Sequence, residues 1–213
     1  MAGASTTETT RDAAGNDLKS VEIPFTGAMI LVEYKEANKI DPALLNETTK
    51  DIKLPDDYAK DSYVGLIKSD GGFQDSRDAD DATEFFQSGY SMPGEPTLST
   101  AFTVAENNRH IRRITLGEPD KNGVYAVDDI VQADKWCAYQ EEALKGGRVR
   151  RRIGVVQVTN NEPEQSERGS VKGTALTVTW LQDSMYDMHR YYESIYDPSL
   201  PAGTPKTAST AGK

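Results

Sequence analysis

Short runs of β-branched and aromatic residues, separated by turn-forming residues, recur through the middle of this chain, as expected of a sheet protein. Seven runs predict strands: 28–34 (AMILVEY), 62–68 (SYVGLIK), 84–91 (EFFQSGYS), 97–105 (TLSTAFTVA), 123–127 (GVYAV), 148–159 (RVRRRIGVVQVT) and 173–182 (GTALTVTWLQ). The last shows the two-residue period most plainly, with Leu176, Val178 and Trp180 on one face and Thr177 and Thr179 on the other. One face packs inward, and the other meets water or a partner. The Pro-Gly pair in 91–96 (SMPGEP) predicts a tight turn, so 84–105 reads as a long hairpin. A second hairpin, 148–182, carries the polar loop NNEPEQSERGS at its tip.

One stretch breaks the pattern. In 105–116 (AENNRHIRRITL) Glu106 comes early, Arg112 and Arg113 late, Ile111 and Ile114 share a face, and Gly117 follows, which predicts a helix of about three turns. Residues 128–147 fit either a helix ended by glycine or a hairpin arm, with 135–143 leaning to strand. Residues 35–61 form a long polar insertion with two prolines, and a loop of that length in a compact domain usually serves function or contacts. Residues 1–20 and 197–213 are rich in Thr, Ala, Asp, Pro and Gly and read as arms, since such composition does not bury enough surface to offset its ordering entropy. The organisation expected is an N-terminal arm over 1–20, one domain over 21–185 and a C-terminal extension over 186–213. No internal repeat is visible.

Composition narrows the picture. At 213 residues the chain suits a single core, yet AVILMFWYC make up only 37% and mean hydropathy is −0.62, so part of the surface burial is expected from subunit contacts. No window reaches the roughly 18 apolar residues of a membrane span, and the first residues lack the apolar segment of a secretory signal. The expectation is a soluble protein, cytoplasmic when made. The solitary Cys137 forms no disulfide within the chain and suits a reducing compartment. Net charge is −10, all of it in residues 1–100, which hold 19 acidic and 9 basic residues. A chain this acidic is better suited to repelling duplex DNA than to gripping it.

Tests for chemistry come back empty. His110 and His189 have no second His or Cys at ligand spacing, there is no G-x-S-x-G, and no Ser, His and Asp set suggests a triad. The acidic residues Asp75, Asp78, Asp80, Asp81 and Glu84 lack the spacing and central Gly of an EF-hand loop and read as a lumen or interface loop. Gly169–Gly173 is spaced wrongly for a phosphate loop and precedes a strand. No enzyme, cofactor or metal site is expected. Two basic clusters remain: Arg109, Arg112 and Arg113 on the helix, and Arg148, Arg150, Arg151 and Arg152 opening a strand. Without interleaved aromatics for base stacking, they are expected to meet carboxylates of a neighbouring subunit in a head-to-tail arrangement.

A long polar loop after the first strands, a Gly- and Pro-turned hairpin, one helix near Glu106 and the run RRRIGVVQVTNN…ERGSVKGTALTVTWLQD together resemble the major tail tube proteins of long-tailed, siphovirus-type bacteriophages. The resemblance covers roughly 21–185 and is most specific over 148–183. It implies a mainly β fold, a β-sandwich whose sheets form a barrel in the assembly, flanked by one α-helix. It further implies stacked, hexameric rings around a channel for DNA during ejection, with loop 35–61 touching the next ring. Its partners would be other copies of itself, a tape measure protein, and tail terminator and distal tail proteins, with DNA passing without specific binding and no membrane. The location implied is the virion tail, after assembly in the host cytoplasm. The alternatives are a head-tail joining protein of similar fold, or a β-sandwich decoration or adhesion module of a virion.

Overall fold

The computed structural model describes residues 12–18, 20–79, 81–127 and 134–201. The chain is mainly β, with one α-helix among the described residues. Its strands in chain order are β1 (Pro24–Glu33), β2 (Gln74–Ala79), β3 (Thr83–Glu84), β4 (Ser91–Met92), β5 (Pro96–Val104), β6 (Lys135–Leu144), β7 (Val149–Pro163), β8 (Thr174–Leu181) and β9 (Tyr191–Tyr196). One antiparallel sheet runs β1-β6-β7-β8-β5-β2. β7, 15 residues long, also pairs β9 through Val149–Gly154, while β8 takes Val155–Pro163. β8 and β9 therefore lie end to end along the same side of β7.

Alternation decides which side chains meet. Met29 and Leu31 of β1 and Trp136 and Ala138 of β6 pack with Leu176 and Val178 of β8 and Phe102 and Val104 of β5 in one buried cluster. Strands several places apart thus touch face to face, so the sheet is strongly curled. Segment 63–71 helps to close it: Val64 N donates to Met29 O at 3.0 Å, and Ala105 N donates to Leu66 O at 2.7 Å. Lys68 N donates to Thr103 O at 2.9 Å, and Tyr63 and Ile67 bridge Ile30 and Val104. Each large aliphatic side chain fully buried here contributes roughly 1.5–3 kcal/mol.

The helix α1 (Arg109–Leu116) covers this core with Ile111 and Ile114. Asn108 caps its start by accepting from Ile111 N at 2.9 Å, and Gly117, at φ 89°, ends it by donating to Arg113 O at 3.0 Å. The helix therefore begins three residues later than Glu106, whose carboxylate instead accepts from Leu66 N at 2.8 Å.

The opposite sheet face is covered only over β1, β6 and the first half of β7. There Ile30, Val32, Cys137, Tyr139, Ile153 and Val155 pack against Ile40 and Tyr58 of the long loop and Met185 and Tyr186. Loop 35–61 is thus folded onto its own sheet, with single 3-10 turns at Glu36–Asn38 and Pro42–Leu44 and another at Lys60–Ser62. Asp183 anchors the turn Ser184–Tyr186, accepting from Met185 N (3.0 Å), Tyr34 Oη (2.8 Å) and Lys135 Nζ (2.8 Å). Burial works against its charge, and these three donors outweigh burial and hold the carboxyl below its usual range. Asp187 and Met188, both at positive φ, then reverse the chain into β9.

Several expected elements differ. Residues 62–68 make isolated bridges instead of a strand, because they cross from β1 to β5 rather than running along either. The long hairpin is not 84–105: β5 pairs β2, and the span between them holds the small β3–β4 hairpin. The strand expected over 84–91 shrinks accordingly to Glu84 and Ser91, and residues 123–127 form none, Gly123 and Val124 closing a turn on Asp120. The strand leaning at 135–143 is realised as β6. β9 lies within the segment expected to be an extension.

Candidate functional site

The half of the outer face left bare is the candidate site. On β5, Thr100, Phe102 and Val104 point inward, so Thr97, Ser99, Ala101 and Thr103 point out. The pairing carries this face to Ala175, Thr177 and Thr179 on β8 and to Gln74, Ser76 and Asp78 on β2. On the two sides of a bulge between Val158 and Asn160, β7 adds Gln157, Thr159, Asn160 and Glu162. Hydroxyls dominate and bond among themselves: Thr159 and Thr179 Oγ1 lie 3.0 Å apart, and Ser76 Oγ donates to Asp78 at 2.6 Å. Small side chains leave the surface flat, and the strand residues on it include two carboxylates and no lysine or arginine.

The sheet has two incompletely paired edges. β1 is paired to β6 on one side, and on its other side only Met29 and Ile30 meet segment 63–64. Among the described residues β2 is paired only to β5. Such edges are templates for pairing with another chain. Between β2 and β5 the β3–β4 hairpin presents Phe85, Phe86, Tyr90 and Met92 to solvent.

The acidic run does not act as a unit. Asp75 shares the inner side with Thr100, accepting from Thr100 Oγ1 at 2.8 Å and from Arg152 at 2.6 Å. Asp78 stands on the hydroxyl face, while Asp81 and Glu84 are exposed at the hairpin. Asp80 lies outside the described residues.

The arginines depart most from expectation, because most have partners within the chain. Arg152 joins Asp75 and Glu193, Arg150 joins Glu22 and Glu142, and Arg148 lies 3.8 Å from Glu22. Arg151, 4% exposed, joins Glu141 and donates to the carbonyls of Thr49 and Lys50. Arg113 joins Glu33 and Glu118, and Arg112 stacks on Tyr125 at 4.3 Å. The arginines expected to reach a neighbour therefore hold β7 to β2, β6, β9 and the long loop. The physical reason is the β register, which sets Arg150, Arg151 and Arg152 opposite Glu142, Glu141 and Gln140 on β6, and Arg152 opposite Glu193 on β9. Arg109 alone of the seven is exposed with no carboxylate partner among the described residues, and it lines a recess of about 650 Å³ with Lys60, Asp61 and Glu106.

His110 is partly buried: burial pushes its imidazole pKa down, and its ring meets Trp136 edge-on. Burial likewise pushes the Cys137 thiol up, away from the thiolate a nucleophile requires. Among the described residues no helix is long and apolar enough to cross a membrane, and no group of three His, Cys, Asp or Glu is placed to hold a metal. No protein-family model matches the chain, and neither does any curated protein sequence.

Proposed function

We propose that this chain is a structural virion protein, a tail tube subunit that assembles into stacked rings through which phage DNA passes. The observation that carries this reading is the bare hydroxyl face on a six-strand antiparallel path with open edges at β1 and β2. Six is even, so β1 and β2 run in opposite directions. When β2 of one copy lies beside β1 of the next, the sheet continues antiparallel with both copies pointing the same way. That is head-to-tail association, which closes into rings; a twofold dimer would cap it. Turned to the axis, the hydroxyl face gives a lumen wall whose strand residues include Asp78 and Glu162 and no lysine or arginine, which lets a polyanion slide.

In this reading the subunit is not an enzyme and needs no cofactor. A tape measure protein occupies the bore, and terminator and distal tail proteins end the tube. Electron microscopy of the purified protein at rising concentration tests it. Hollow tubes of uniform bore are expected, and a particle that stays monomeric at millimolar concentration overturns the reading. Rings that never elongate would favour the head-tail joining protein instead.

A further inference from the structure

We propose that the β3–β4 hairpin of one copy seats its aromatic side chains in the recess between β1 and segment 65–73 of a second copy. The inference rests on the self-assembly reading and names the contact that joins the subunits.

The hairpin is the projecting half. Phe85, Phe86, Tyr90 and Met92 are 51, 104, 69 and 58% exposed, within ten residues. At about 200 Å² per aromatic side chain this is on the order of 500 Å² of apolar surface, the size that on a monomer marks a contact site. Two ladder pairs, Thr83 with Met92 and Glu84 with Ser91, and two turn bonds, Phe85 N to Tyr90 O at 3.1 Å and Tyr90 N to Gln87 O at 3.3 Å, hold the hairpin together, and Phe86 touches nothing of its own chain's core. A two-stranded hairpin of this size is barely stable in water by itself.

The recess is the receiving half. It has a volume of about 450 Å³ and is lined by Phe25, Gly27, Leu66, Ile67 and Phe73, with Lys68 and Glu142 at its polar edge. A cavity of about 150 Å³ holds one benzene ring, so two aromatic side chains fit. Phe25 and Leu66 are 70 and 71% exposed, so its apolar walls face solvent in the isolated chain. Charge does not select the match, since Lys68 at the receiving side is already paired with Glu164 at 2.8 Å and Glu142 lies beside it; the fit is one of apolar surface and position.

Position identifies the occupant as another copy. The hairpin adjoins the free edge of β2, and the recess is bounded by the free part of β1. Any join that brings β2 of one copy to β1 of the next brings the hairpin toward that recess. Plug and socket on the two open edges of one sheet make a contact that repeats from copy to copy.

Paired single-cysteine variants test this, since the native Cys137 is buried. Phe86→Cys and Leu66→Cys chains, mixed and treated with a short thiol-reactive cross-linker, should give a covalent dimer. Both substitutions in one chain should give a ladder, and Val124→Cys mixed with Leu66→Cys should give neither. Phe85→Asp with Phe86→Asp should raise the concentration needed for assembly at least tenfold while leaving the circular dichroism of the monomer unchanged. Rings or tubes in micrographs without the cross-link, or unchanged assembly of the aspartate variant, would overturn the contact and leave the tube reading standing. Absence of any assembly from the wild-type chain would overturn both.

Discussion

Trp180 Nε1 donates to Thr100 Oγ1 at 3.0 Å, and the same hydroxyl donates onward to Asp75, which in turn holds Arg152. One fully buried threonine therefore links the indole in the core to the ion pairs that bind β2 and β9 to β7. The relay bears on how the open edge is held, because β2 has no buried apolar side chain of its own.

Replacing Thr100 by valine keeps the shape and removes the relay. The Trp180 N–H is then buried without an acceptor, which costs about 1–3 kcal/mol. For a domain of this size that corresponds to a fall in Tm of roughly 2–12 °C. Differential scanning calorimetry checks it, and an unchanged Tm would mean that water replaces the hydroxyl.

Arg152→Glu is expected to unfold or loosen the monomer as well as any assembly. It sets a third carboxylate beside Asp75 and Glu193 on a side chain only 7% exposed. Loss of one partner from a buried pair costs about 3–5 kcal/mol, and the partial exposure of both carboxylates puts the expected loss at the lower end. Urea denaturation of the monomer measures it. A variant as stable as the wild type that merely fails to assemble would restore an inter-subunit role for this arginine.

Thr177→Lys with Thr179→Lys places two cations on the hydroxyl face without touching the core side of β8. Tubes of this variant are expected to retain duplex DNA at low salt and release it as salt rises, whereas wild-type tubes retain none. A filter-binding titration against salt concentration distinguishes them. Equal, weak retention by both would place this face away from the bore.

Glu33 accepts from Lys35 and Arg113, which together hold its carboxyl down to about 2. A depressed folded pKa contributes stability that is present above the unfolded value of 4.5 and is lost as pH falls from there toward 2. Exposed pairs of this kind contribute at most about 1 kcal/mol. Glu33→Gln should therefore lower Tm slightly at pH 7 and not at pH 2, as thermal melts across that range will show.

The strands that could be read from the residues are those rich in β-branched, apolar or aromatic side chains, whether or not one face is wet. β5 and β8 show the alternation directly, β7 reads instead as a β-branched run buried on both faces over its first half, and α1 announces itself through the Ile111 and Ile114 pair and Gly117. β2 could not be read that way, since Gln74–Ala79 (QDSRDA) contains no large apolar residue and owes its place to β5 and Arg152. β9 did carry a signal: Tyr191–Tyr196 (YYESIY) is rich in strand formers, although it follows a stretch that reads as the end of the domain. The hydroxyl face was half visible in Thr177 and Thr179, but its extent depends on pairings between residues 17–27 positions apart for β2 with β5 and 70–82 apart for β5 with β8. The arginine partners were hidden for the same reason, because opposite charges in adjacent strands are set by register.

The pairing of β1 with β6 has a consequence in time. Pro24 lies opposite Leu144 and Glu33 opposite Trp136, so apart from the short contact of Met29 and Ile30 with segment 63–64 the first strand has no sheet neighbour until 103 to 120 further residues have left the ribosome. Contacts of such long sequence separation slow folding. Until then the edge that would receive another copy does not exist, so a growing chain cannot be captured half made. In the proposed assembly, topology alone would therefore hold back joining until β6 has been made.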